Sequence, residues 1–137
     1  MKLTINQNRK GFTLVEIMIV VAIIALLAAI AVPNFMRARK RSQATRVLDE
    51  LRLIDAAIDQ YALENNKKSG DNVAWDDVQK YLKPGTALYS SSGADSIGNS
   101  FTFGTVSAGI KVPAATKTEF TEVADDAFWG PFNPSGT

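Results

Sequence analysis

Residues 12–36 read FTLVEIMIVVAIIALLAAIAVPNFM, and from Ile17 to Val32 no side chain is charged or polar. Phe12 to Phe35 is 24 residues. As a helix that is about 36 Å at 1.5 Å per residue, enough to cross a hydrocarbon core of about 30 Å. A basic stub carrying Lys2, Arg9 and Lys10 and no acid precedes it. A secretory signal peptide is the competing reading, with Ala28, Ala29 and Ala31 as small residues near a cleavage point. The run is long for a signal core, and it continues through Pro33-Asn34-Phe35-Met36 into a further helical pattern. The stretch therefore predicts one membrane-spanning helix. Glu16 stands against its apolar surroundings. A lone carboxylate in a membrane helix costs several kcal/mol and points to function. A carboxylate at headgroup level costs little. Both readings stand at this point.

The rest of the 137 residues differ sharply in character. From Asp55 onward there are eleven acids against six bases, a local net of −5, within a chain whose overall charge is +1. Such a segment repels nucleic-acid phosphates, and no nucleic-acid partner is expected. With no cysteine there is no disulfide, thiolate metal site or cysteine nucleophile. With no histidine the commonest general base and zinc ligand is missing. No glycine-rich phosphate loop of standard spacing occurs. An enzyme would need a carboxylate pair such as Asp76 and Asp77 or Asp125 and Asp126. Neighbours on a strand point to opposite faces, so no enzyme, catalytic residue or cofactor is expected.

Beyond Asn34 the helix continues. Val47, Leu51, Ile54, Ile58 and Tyr61 recur at spacings of four, three, four and three, widened by Leu48, Ala57 and Ala62. No glycine or proline intervenes before Gly70, and Asn65-Asn66-Lys67-Lys68 reads as the end. One helix is thus expected from about Phe12 to Asn66, roughly 80 Å long. Its first half is apolar all round and its second half apolar on one side. Pro33 removes a backbone donor and clashes with the preceding turn, so a kink or local melting is expected there.

The segment from residue 67 reads as a small domain covering that stripe. Trp75, Val78, Tyr81 and Leu82 predict a short helix over 74–82, stopped by Pro84-Gly85. Residues 86–89, 100–106 and 110–112 look like strands, with Ser90 to Gly93 as a loop. Residues 116–124 are a strand or a short helix, with Thr116 and Glu119 in capping-box spacing. The aromatic tail Phe128-Trp129-Gly130-Pro131-Phe132 packs in a core or presents a patch to a partner. The fold class expected is α+β, a long N-terminal helix packed on a small antiparallel sheet.

The segment GFTLVEIMIVVAIIALLAAIAVPNF resembles the N-terminal signature of type IV pilins and type II secretion pseudopilins. The resemblance is specific over residues 10 to 36. It implies that a prepilin peptidase cuts between Gly11 and Phe12 and methylates the new amine of Phe12. It implies that Glu16 and Pro33 serve subunit assembly, with Glu16 neutralising the amine of a neighbouring copy. A buried ion pair is tolerable where two lone charges are not, and it fixes register. Ala25 departs from the glycine of many members and implies a stiffer segment. A second likeness is Asp95-Ser96-Ile97-Gly98-Asn99-Ser100-Phe101, similar to a turn of major type II secretion pseudopilins without its proline and tryptophan. Those proteins hold calcium in a late loop. Asp71, Asp76, Asp77, Asp95, Asp125 and Asp126 are candidate oxygen ligands but fit no EF-hand pattern. They read as solvated surface acids, and no metal site is assigned.

The organisation implied is a leader over 1–11, a membrane or filament-core helix over 12–36, its amphipathic continuation over 37–66, and a β-rich extracytoplasmic domain over 67–137. The function implied is a structural subunit of a secretion pseudopilus. The alternatives are a type IV pilus subunit for adhesion, motility or DNA uptake, and a monomeric binding module tethered outside the membrane. The partners implied are further copies of the chain, the prepilin peptidase, and an inner-membrane platform with its ATPase. The location implied is the inner membrane, single-pass, with the C-terminal domain in the periplasm, followed by the filament. One rule runs against this. Arg37-Ala38-Arg39-Lys40-Arg41 would lie outside the membrane, whereas lysine and arginine favour the cytoplasmic side. These bases would then reach lipid phosphates or pair with acids of adjacent subunits.

Overall fold

The computed structural model describes residues 10–134. The leader bases Lys2 and Arg9 lie outside the described residues. Two compact units divide at Met36 and Arg37.

Helix α1 covers Leu14–Glu64. In the first unit every large apolar residue from Phe12 to Met36 is exposed, Phe12 at 85% and Ile30 at 63%. By length and composition this part of α1 is able to cross a membrane. The helix runs through Pro33 without a break, so the local melting expected there is not found. One missing donor among the bonds of a long helix is a local loss, and the turns on either side hold.

In the second unit α1 carries the predicted stripe. Val47, Leu51 and Ile54 are fully buried, Ile58 and Tyr61 nearly so, and Ala44 extends the row by one turn. Each large side chain buried this way contributes about 1.5–3 kcal/mol. The helix ends one turn earlier than Lys67-Lys68. Asn66 takes a left-handed φ of 51°, and the amide of Lys67 reaches back to the carbonyl of Ala62 at 2.9 Å.

The cover over this stripe is mostly short helices and turns. Helix α2 is Trp75–Val78, and a 3-10 turn over Gln79–Tyr81 prolongs it, as expected for 74–82. Strands β1 (Thr102–Phe103) and β2 (Ile110–Lys111) pair antiparallel, with Thr102 opposite Lys111 and Phe103 opposite Ile110. Helix α3 is Ala114–Glu119 and α4 is Asp126–Trp129, followed by a 3-10 turn over Gly130–Phe132. The architecture is α+β, with a long N-terminal helix and a small antiparallel sheet.

Three details differ from expectation. The domain is less β-rich than its composition suggests, since among the described residues its sheet has two strands of two residues. Residues 86–89 are not a strand. Thr86 Oγ1 donates to the Lys83 carbonyl at 2.8 Å and accepts from the Tyr89 amide at 3.2 Å, so a side-chain-to-backbone turn wins over a ladder. Thr116 does not cap α3. The helix starts two residues earlier, after Pro113, which places Thr116 within its first turn and fully buried.

The core gathers Val73, Val78, Leu88, Phe101, Ile110 and Phe120 around the α1 stripe. Trp129 is fully buried and Phe132 is 7% exposed, so the aromatic tail is core.

Candidate processing and assembly site

Gly11 and Phe12 precede α1 and are exposed. A Cβ on Gly11 would meet nothing within 4 Å. The fold thus gives no steric reason for glycine there. Helix α1 then opens with two reciprocal bonds. The Thr13 amide donates to Glu16 Oε2 at 2.9 Å, and the Glu16 amide donates to Thr13 Oγ1 at 3.2 Å. This is a capping box, in which two donors left over at a helix start are satisfied by one Thr and one Glu three residues apart. Sequence reasoning considered Glu16 as a charge and missed it as a cap. The Thr-x-x-Glu spacing was the available signal. The carboxylate of Glu16 is therefore held one residue away from the nitrogen of Phe12. Pro33 lies farther along the same exposed helix, so the structure places it on the same element as Glu16 but does not bring the two together.

The basic segment finds partners that neither sequence reading anticipated. Lys40 Nζ lies 3.1 Å from Glu122 Oε2. Arg41 donates to the Val123 carbonyl, and its guanidinium sits 4.2 Å from the centre of the Phe128 ring. Arg46 Nε lies 3.6 Å from Glu50 Oε1. Lys40 and Arg41 thus brace the domain of their own chain, and Arg46 pairs one turn along α1.

Two carboxylates are buried behind these braces. Glu50 is 8% exposed and accepts from the Ser96 amide at 2.9 Å. Its burial pushes its carboxyl above the usual range. Asp95 adds to that rise, while the Ser96 bonds and Arg46 oppose it. Asp95 is 4% exposed and accepts from the amides of Ile97 at 3.1 Å and Asn99 at 2.8 Å. Thr116 Oγ1 donates to the other Asp95 oxygen and accepts from Asn99 Nδ2 at 3.0 Å. Gly98, at φ 97°, closes the turn. The turn read from Asp95 to Phe101 is present, but Asp95 is a buried centre rather than a surface acid.

Four of the other five calcium candidates, all but Asp76, are occupied by the protein itself. Asp71 accepts from the Lys68 amide, Asp77 from Ala74 and Asp125 from Phe128. Asp126 pairs with Lys117 at 2.7 Å, and the lysine's hydrogen bond draws its carboxyl below the usual range. Among the described residues no three ligating side chains are grouped for a metal. The two adjacent carboxylate pairs sit at helix starts rather than on strands.

Residues 6–32 match the family model described as the prokaryotic N-terminal methylation motif. Over 68 residues, half of this chain and 52% of the relative, the chain is 43% identical to the type IV wide pilus major component of Thermus thermophilus. It is 38% identical over 61 residues to type II secretion system core protein G of Klebsiella pneumoniae, 44% of each chain. It is 45% identical over 67 residues to the type IV major fimbrial protein of Dichelobacter nodosus, 49% of this chain and 42% of that one. The chain spans about half the length of the curated relatives it matches. No solved structure matches it. Residues 6–32 therefore carry a prokaryotic N-terminal methylation motif, and this chain is related over about half its length to type IV pilins and to type II secretion core protein G.

Proposed function

We propose that the chain is a structural filament subunit, anchored in the inner membrane by residues 12–36 and supporting protein secretion as a pseudopilus component. The carrying observation is the junction at the start of α1. A side chain at Gly11 would meet nothing within 4 Å, Phe12 is exposed, and Glu16 is bonded to the Thr13 amide, one residue on from the nitrogen that cleavage would free. A prepilin peptidase cuts between Gly11 and Phe12 and methylates the Phe12 amine. The membrane helix then leaves lipid for a filament core, where Glu16 of one copy neutralises the amine of another. Pro33, which removes one backbone donor from an otherwise continuous α1, serves subunit assembly on the same helix. An inner-membrane platform and its ATPase, supplied by other proteins, drive extraction. The second reading is a type IV pilus subunit, which the similarity to pilus components favours. The Asp95 turn supports the secretion form.

Intact mass of the membrane-extracted protein tests this. The expected chain starts at Phe12 and carries one added methyl group. A mature protein retaining Met1, or beginning after Ala31, overturns the reading.

A further inference from the structure

Helix α1 carries two unmatched charge features on opposite flanks of its buried stripe. On one flank Asp55 and Asp59 lie one turn apart and line a recess of ≈ 480 Å³ together with Gly109, Lys111 and Pro131. Among the described residues neither carboxylate has a hydrogen-bond donor or an ion-pair partner. The nearest cation is Lys111, whose ammonium is taken by the Pro131 carbonyl at 2.6 Å. Gly109 makes the space, since a Cβ there would sit 2.9 Å from Asp55 Oδ1. Half-burial and the neighbouring Asp59 push the Asp55 carboxyl up. The chain thus keeps in a concave place a pair of carboxylates that Lys111 offsets only from a distance and that no side chain among the described residues bonds.

On the other flank stands Arg39, exposed and without an acid among the described residues. At about 100° per residue, Arg39 points about 180° away from the direction midway between Asp55 and Asp59. Each direction is about 90° from the stripe that packs under the domain. Arg37 is also exposed and has no acid partner among the described residues, but it is 18 residues, five turns, from Asp55 and so shares the acidic flank. An open polymer of one chain needs two different surfaces that fit each other. Complementary charges on opposite flanks of one helix meet that need, and charges on the same flank do not.

We infer that Arg39 of one copy enters the Asp55–Asp59 recess of its neighbour, the two α1 helices running parallel with an axial offset of about 27 Å, 18 residues at 1.5 Å. The inference rests on the filament reading and adds to it the contact between domains. Its charge-assisted bonds are of the bidentate kind arginine makes with carboxylates. They fix which copies touch side by side, separately from any pairing at Glu16.

Charge swaps in the full chain, expressed with the assembly proteins, test this. Sheared filaments and the membrane pool are both measured. Arg39→Glu and the double variant Asp55→Lys, Asp59→Lys are each expected to lower filament yield at least tenfold with the membrane pool unchanged. All three substitutions together restore at least half of it. Arg37→Glu keeps the wild-type yield. The chain has no cysteine, so Arg39→Cys with Asp59→Cys, treated with a short bismaleimide that replaces the reach of the lost arginine, reports independently as a ladder of cross-linked multimers. Undiminished filaments from Arg39→Glu, equal loss from Arg37→Glu, or failure of both rescue and ladder overturn the contact while wild-type filaments leave the filament reading intact. A fall in the membrane pool of Arg39→Glu assigns Arg39 to lipid and also overturns the contact. Absence of wild-type filaments overturns the filament reading, and the contact with it.

Discussion

The guanidinium of Arg41 lies over the face of Phe128, 4.2 Å from the ring centre, while donating to the carbonyl of Val123. Phe128 in turn stands edge-on to the buried Trp129, with centroids 5.0 Å apart. A base read from sequence as a contact for lipid or for another subunit is therefore a clamp between α1 and the end of its own domain. A cation over an exposed ring contributes about 0.5–1 kcal/mol. Arg41→Ala, in the chain beginning at Arg37, should cost about 1 kcal/mol and lower the melting temperature by several degrees. A double-mutant cycle with Phe128→Leu should show coupling. Strictly additive effects would mean that ring and guanidinium are independent in solution.

The α1 stripe makes a larger demand. Leu51 is fully buried and Ile58 is 1% exposed. Leu51→Ala or Ile58→Ala should each destabilise the chain beginning at Arg37 by about 2–5 kcal/mol, as lost burial plus a cavity. That chain should be soluble and monomeric. Chemical denaturation measures both points, and unchanged midpoints would show that the stripe does not face the core.

This part of the fold was legible because burial repeats with the helix period. Val47 to Tyr61 state their face without any knowledge of what covers it. The cover was less legible, because its short pieces are fixed by single polar contacts. Thr86 has a strand-former's side chain, yet its hydroxyl closes a turn. Thr116 has capping spacing, yet its partner is Asp95, 21 residues away. No local pattern announces a bond of that span. Glu50 shows the same limit. Helical phase sets it beside the stripe, three residues after Val47 and four before Ile54, but the amide that takes its carboxylate belongs to Ser96, 46 residues away. At the functional end the motif at Gly11, Phe12 and Glu16 was plain, while the Thr13–Glu16 box was overlooked because Glu16 already had a role.

Thr116 tests the buried network. Thr116→Val keeps the shape and removes the hydroxyl, leaving one Asp95 oxygen and Asn99 Nδ2 without their partner. The expected loss is about 1–3 kcal/mol. A variant as stable as the wild type in thermal unfolding would show that water replaces the hydroxyl.

Glu50 gives a pH signature. Its folded carboxyl is raised, first by burial, so the native state holds that proton more tightly than the unfolded chain does. Stability from this group is then present below the unfolded value and is lost as pH rises through the folded one. Glu50→Gln keeps an acceptor for the Ser96 amide and removes the charge. Its melting temperature should match the wild type near pH 4 and exceed it increasingly as pH rises toward neutrality. A difference that stays constant with pH would place the Glu50 carboxyl at its ordinary value.

Glu16 has two roles to separate, a cap for its own helix and a counter-charge for another copy. The capping box accepts Gln as well as Glu, so Glu16→Gln keeps the bond to the Thr13 amide and loses only the charge. Glu16→Ala loses both. Membrane insertion should survive in each, and even become easier, because a charge has been taken from lipid. Assembly should fail in each, since every incoming Phe12 amine is then buried without its counter-charge, at roughly 3–5 kcal/mol per subunit. Sheared filament yield against the membrane pool measures this. Filaments from Gln but not from Ala would assign Glu16 to capping alone, and filaments from both would remove it from assembly. With neither variant assembling and both inserted, the charge itself is what the filament requires.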